Sequence, residues 1–222
     1  MVAIAVTDEQ ANDPAFELHT QRVNLAEQIV AHEWAQFQQV SNEGGPAECQ
    51  SNWPTFHQMR LSQFLTWPSD LLSSYAADLD DADATHRNLL TEKYGRMMAS
   101  TEGERYARDI EPHLPRLAPA RSATQEQIIA QQVAWAAEFR AAYPRLGEAM
   151  RVLRTGEDTR DDTSFETYLR GELGTYSQAT LDLYGELVAA TAAAGKNLTA
   201  MTITYTVILG GYADLAEAEA EA

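Results

Sequence analysis

The chain has 222 residues, 45% of them hydrophobic and 22% charged, and its 33 acidic against 16 basic side chains give a net charge of −17. That length and apolar fraction suit one folded domain with a sizeable core, while the charge argues against phosphate backbones and anionic membrane surfaces as partners. Cys49 is the only cysteine, so neither an internal disulfide nor an oxidising compartment is implied.

Residues 1–14 read as a polar lead-in ending at Asp13-Pro14. Met1 to Val6 is apolar but short and runs directly into Asp8 and Glu9, which does not describe a signal peptide. No apolar run approaches the length that crosses a bilayer, so a cytoplasmic location is expected by elimination. Val23, Ala26, Val30, Phe37 and Val40 then recur on one face of an amphipathic helix. Ser41 to Pro46, with Gly44-Gly45, ends it. A second helix is predicted after Pro54, with Thr55 near its start, running to Trp67. Leu71–Asp80 and Thr85–Met98 read as further helix, or as one long helix. Pro112, Pro115 and Pro119 mark a surface loop over 111–123. Ser122 or Thr124 is expected to cap the next helix, which runs to Tyr143. Thr163 with Glu166 has capping-box spacing and opens a predicted long helix to about Ala194, closed by Gly195. Asn197 to Ala216 is the last helix, although Thr202 to Ile208 is rich in β-branched residues. A lone strand would have nothing to pair with. The acidic Ala/Glu tail over 213–222 is expected to fray. No internal repeat stands out at solenoid periods. The prediction is an all-α fold, a single compact bundle of six to eight helices over residues 15–212.

Polar residues that interrupt the apolar stripes carry the functional signal. Glu33 lies three after Val30 and four before Phe37. Arg60 and Gln63 stand between Phe56 and Trp67, Lys93 between Leu89 and Met97, and Glu172 between Leu169 and Tyr176. Two acids and two bases on four segments thus point toward apolar neighbours. An unpaired buried charge costs several kcal/mol, a large part of a domain's net stability. The four are therefore expected to meet, either as structural ion pairs or as a polar pocket.

Other constellations are weaker. Gly44-Gly45 with Cys49-Gln50 could form a lip over a pocket, with Cys49 as nucleophile and His32 or His57 as base, but a buried inert cysteine is the plainer reading. His19, His32, His57, His86 and His113 show no ligand spacing, and Asp83 with His86 is the nearest approach to a Glu-x-x-His pair. No phosphate loop, dinucleotide fingerprint or Gly-x-Ser-x-Gly is present, so no cofactor is predicted. A metal held by carboxylates alone would leave no spacing signature, so that option stays open.

Several long words resemble a bacterial domain-of-unknown-function family, number 4125. They are Glu33-Trp34 through Asn42-Glu43-Gly44-Gly45 to Cys49-Gln50, then Thr55-Phe56, Met59-Arg60 and Ser62-Gln63-Phe64. Asn88 to Tyr94 with Arg96-Met97-Met98, and Thr163 to Leu173 with Thr175-Tyr176-Ser177, complete the set. The resemblance spans about residues 20 to 210 and implies no catalytic assignment. The chain departs from the family pattern at Pro46, where a basic residue is usual, and at Ser51 and Asn52, where acidic ones are.

Two functions follow as expectations. In the first, the chain is a small-molecule enzyme of lyase, isomerase or transferase type acting on an amino acid or related organic acid. Arg60 and Lys93 clamp the substrate carboxylate, helped by Gln63, Cys49 and Gln50. Glu33 or Glu172 acts as base with its pKa raised by burial, and Tyr94 or Tyr168 donates to developing negative charge. In the second, it is a non-catalytic helical binding or scaffold protein. A homodimer is compatible with both.

Overall fold

The computed structural model describes residues 14–41, 48–160 and 162–222, with the side chains of 14–16 and 48–49 outside the description. Eight long helices carry the architecture: α1 (Pro14–Phe37), α2 (Trp53–Phe64), α3 (Ser69–Ala84), α4 (Leu89–Thr101), α5 (Pro119–Ala142), α6 (Phe165–Leu173), α7 (Gln178–Ala193) and α8 (Leu198–Leu209). Three short ones, Gly103–Arg105, Pro144–Glu148 and Leu215–Glu221, raise the count of α-helices above the expected six to eight, and no strand occurs among the described residues.

Local chemistry sets the boundaries. Asn52, Asn88, Ser164, Ser177 and Asn197 each accept a hydrogen bond from a backbone N–H of the first turn they cap. The break between α3 and α4 is enforced by His86, whose φ of 57° leaves the helical region, so the two segments read from the sequence are two helices and not the one long helix given as the alternative. Ser164 rather than Thr163 caps α6, and the predicted long helix ends at Gly174, with α7 restarting after Ser177. Glu166 accepts from Thr155 N at 3.0 Å instead of closing a capping box. Pro119 opens α5 upstream of both Ser122 and Thr124. The β-branched run is helical, but α8 stops at Leu209. The acidic tail is docked: Glu219 accepts from Arg145 N and Leu146 N, both at 2.9 Å.

The chain contains its own likeness at long range. Phe56, Thr66, Leu72, Tyr75, Asn88 and Leu89 recur as Phe165, Thr175, Leu181, Tyr184, Asn197 and Leu198, a separation of 109 residues each time. The leading helices match with a separation of 99, pairing Arg22, Ile29 and Glu33 of α1 with Arg121, Ile128 and Gln132 of α5. The buried positions of the two helices coincide in that register. Contacts follow the same correspondence. Asn88 donates to Gln36 O at 2.8 Å, and Asn197 donates to Trp135 O at 2.9 Å. Arg22 donates to Trp67 O behind α2, and Arg121 donates to Tyr176 O behind α6.

The fold is therefore two four-helix units, α1–α4 and α5–α8, each of which packs its last helix both on its own first helix and across onto the other unit. α4 packs on α6, α8 packs on α2, and α3 and α7 meet between them. Four aromatic rings meet edge-on or tilted at this junction. Trp67–Tyr75 and its counterpart Tyr176–Tyr184 lie 5.7 and 5.9 Å apart, and the cross pairs Trp67–Tyr184 and Tyr75–Tyr176 lie 5.4 and 5.1 Å apart. Contacts exchanged in this way are those an approximate internal twofold axis produces. The main core runs through both units.

Candidate functional site

The sequence placed Glu33, Arg60, Lys93 and Glu172 on four helices, and the structure brings them together. Each is buried, with exposures of 0%, 6%, 3% and 3% respectively. They reach one another because α1 and α2 pack within the first unit while α4 crosses onto α6 of the second.

Arg60 is the hub. Its Nε and Nη2 grip Glu33 Oε2 and Oε1, each at 2.6 Å, in the paired geometry that guanidinium and carboxylate planes favour. Its Nη1 donates to Gln63 Oε1 at 2.7 Å and reaches Glu172 Oε2 at 3.2 Å. Lys93 Nζ donates to Glu172 Oε2 at 2.6 Å and sits 3.7 Å from the centre of the Tyr168 ring. Gln63 Nε2 donates to Glu172 Oε1 at 2.8 Å. Two hydroxyls that the sequence did not mark complete the set: Tyr75 donates to Glu33 Oε1 at 2.7 Å and Tyr176 to Glu172 Oε1 at 3.0 Å. With two carboxylates and two cations, the cluster is formally neutral.

The electrostatics correct one expectation. Burial alone works to raise the Glu172 pKa, but Arg60 and Lys93 beside it, with hydrogen bonds from Lys93 and Gln63, overcome that and hold it well below the usual carboxylate range. The expected rise is thus reversed at Glu172, because the cations are too close. Burial also works to lower the Arg60 pKa, and Glu172 and Glu33 more than reverse it. Burial and then Glu33 push the Tyr75 hydroxyl up, and burial and then Glu172 push up that of Tyr176, so both phenols keep their protons and donate.

The other sequence candidates lie around this centre. Tyr168 forms one wall, its ring between Lys93 and Arg151, whose Cζ is 5.0 Å from the ring centre. Tyr94 packs against Phe37 at 5.8 Å in a separate aromatic cluster with Trp34 and Phe56. Gln50 is buried and donates to Phe37 O and Val40 O at 2.9 Å, tying its loop to the end of α1. Gly44, Gly45 and the Cys49 side chain fall outside the described residues. The two histidines considered as bases are engaged elsewhere, His32 with Asp83 at 2.8 Å and His57 with Glu27 at 2.7 Å. Among the described residues no group of three or more His, Cys, Asp or Glu is arranged to hold a metal. No helix among them is long and apolar enough to cross a membrane.

A cleft of about 620 Å³ exists, but Arg22, Trp67, Asp70, Leu183, Glu186 and Leu187 are among its lining and none of the four charges is. The four close on each other: every oxygen of Glu33 and Glu172 accepts at least one protein hydrogen bond.

The internal repeat shows what the charges are not needed for. Where Glu33 accepts from Tyr75, its counterpart Gln132 donates to Tyr184 at 2.8 Å. The counterpart of Arg60 is Leu169, that of Lys93 is Thr202, and Gln63 and Glu172 are counterparts of each other. The same helix packing is thus built a second time with neutral side chains.

Residues 23–220 match the model of a family described as a protein of unknown function, DUF4125. No curated protein and no solved structure matches the chain.

Proposed function

From the premise that the chain belongs to the DUF4125 family, we propose that its buried charge cluster is a site that binds a small amino acid or related organic acid and moves a proton on it. One observation carries this reading. Glu33, Arg60 and Lys93 of the first unit meet Glu172 of the second, whereas their counterparts in the repeated fold are the neutral Gln132, Leu169 and Thr202, and Gln132 bonds Tyr184 where Glu33 bonds Tyr75. Buried ion networks rarely improve on well-packed neutral residues for stability, so the charges serve something other than folding.

The chemistry follows from the hub. The carboxylate of an entering acid takes the place of Glu172 on Arg60 and Lys93, paired to the guanidinium and bonded to the ammonium. That adds one negative charge to a dry, neutral cluster. Glu172 stays buried but loses the cations that hold its pKa down, so its proton affinity climbs. A proton taken up by Glu172 from solvent restores neutrality, whereas one taken from the ligand, from carbon or from an ammonium group, leaves the net charge of the complex unchanged and moves the negative charge onto the ligand. A weak base at rest becomes a competent one when substrate is bound, with the Tyr75 and Tyr176 hydroxyls as donors. Proton removal of this kind opens lyase, isomerase and transferase reactions.

Calorimetry against a panel of amino and organic acids tests this. Binding is expected with uptake of about one proton by Glu172 when the ligand brings none of its own to give, seen as a dependence of the heat on buffer ionisation. The neutral variant Glu33→Gln/Arg60→Leu/Lys93→Thr/Glu172→Gln, copied largely from the other half, should fold and bind nothing. Silence from the wild type across the panel, or equal binding by the neutral variant, overturns the proposal. The second reading, a non-catalytic helical binding or scaffold protein, draws support from the internal saturation of the cluster. It predicts a wild type indifferent to every acid.

A further inference from the structure

Helix α8 is the least charged surface element of the molecule. No ionisable side chain other than Tyr205 and Tyr212 occurs from Asn197 to Ala213. Leu198, Thr199 and Val207 are its buried residues. On another face Met201, Thr204 and Tyr205 are half-buried and Ile208 is 48% exposed, at spacings of three and four that make one stripe, whose first residue, Met201, also packs against the main core. Leu209 and Tyr212, 43% and 36% exposed, follow at its end.

The repeat shows that this stripe is a packing face. Its counterpart on α4 is Glu92, Gly95, Arg96 and Ala99. There the chain covers the middle of the stripe: Ile110 and Leu114 lie 3.2 and 3.7 Å from where a Cβ on Gly95 would stand, and Arg96 donates to Pro115 O at 2.7 Å, while the small Ala99 is exposed. After α8 the chain instead turns at Gly211, φ 100°, and the helix Leu215–Glu221 packs on α8 and on the Pro144–Glu148 segment. Ile208, with Leu209 and Tyr212 beyond it, stays exposed at the end of the stripe.

We infer that it is covered by a second copy of this chain, stripe against stripe, in an antiparallel twofold dimer. Charge selects this occupant. Two chains of −17 repel through most of their surfaces, and a charge-free face is where they can approach. The exposed residues flanking the stripe are Lys196 before it and Asp214 after it, equally distant in sequence from Tyr205 at its middle. Antiparallel pairing turns the Lys196 end of each copy toward the Asp214 end of the other and opposes the two helix dipoles. The stripe shares no residue with the buried charge cluster, so this proposal stands or falls apart from the ligand-binding one.

Sedimentation equilibrium of the full chain over a range of concentrations tests it. The wild type should show a dimer mass that dissociates on dilution. Ile208→Asp, which sets two carboxylates near each other in an apolar contact, should weaken dimerisation by roughly a hundredfold or more with an unchanged helical circular-dichroism spectrum. Ile208→Ser serves the same purpose if the aspartate variant does not fold. Lys196→Glu should weaken the dimer, and adding Asp214→Lys should restore it. A monomer at every concentration, or a dimer indifferent to both Ile208 variants, overturns the proposal. So does a monomer that takes up a heterologous amphipathic helix on this face.

Discussion

Arg60 touches both carboxylates of the cluster, and that single fact orders the behaviour of the other residues. Removing one member of such a set strands the rest, whereas changing all four to neutral residues does not. The polar candidates were legible because each broke an apolar stripe. Tyr75 and Tyr176 were not, because tyrosine fits such a stripe and its hydroxyl declares itself only when a partner from another helix arrives. The pH dependence belongs at this scale. The Glu172 pKa is depressed in the folded protein, so its contribution to stability is full above the unfolded carboxylate value of about 4.3 and drains away as pH falls below it. There the unfolded chain holds a proton that the folded one lacks. Glu172→Gln should therefore flatten the acid limb of stability against pH by about 1.4 kcal/mol per pH unit. Chemical denaturation at a series of acidic pH values measures this, and an unaltered slope refutes it.

The crossing helices show why small residues sit where they do. At the α4–α6 crossing a Cβ on Gly171 would stand 2.8 Å from Lys93 O and 2.8 Å from Met97 Cγ. At the equivalent α2–α8 crossing the counterpart is Ser62, whose hydroxyl accepts from Thr206 at 2.8 Å, Thr206 standing where Met97 does. The first crossing is closer, which lets Lys93 on α4 and Glu172 on α6 form their 2.6 Å bond. Gly171→Ala should destabilise the protein by about 1–3 kcal/mol, read from thermal or denaturant unfolding. It should also weaken any ligand response by moving Lys93. A variant as stable as the wild type contradicts this account of the crossing. The element boundaries that the sequence missed share one cause. Ser164 and Ser177, like Asn88 and Asn197, cap helices that reset direction between partners, and apolar periodicity carries on across a reset as if nothing had happened.

Each half shares its last helix with the other: α4 packs on α1 of its own unit and more extensively on α6 of the second, and α8 on α5 of its own unit and on α2 of the first. Each half separated from the other would lose one helix's packing and expose the junction of Trp67, Tyr75, Tyr176 and Tyr184. Fragments 14–116 and 117–222 should each be largely unfolded alone and regain helicity when mixed, as circular dichroism would report. A half that folds cooperatively by itself argues against the shared architecture.

Within this one chain the sequence determined the helices, the single all-α domain and the misplaced charges, because apolar period and burial cost are written locally. It also carried the repeat, but as scattered matches 109 and 99 residues apart, too diluted by substitution to stand out without the contacts that pair them. Only the tertiary structure decided that Glu33, Arg60, Lys93 and Glu172 share one neutral cluster, that Glu172 is depressed rather than raised, and that the end of α8 leaves Ile208 and Leu209 exposed. The reason is physical. A charge's pKa and a helix face's fate depend on which distant segment comes to lie within a few ångströms, and that is set by the packing of the whole chain.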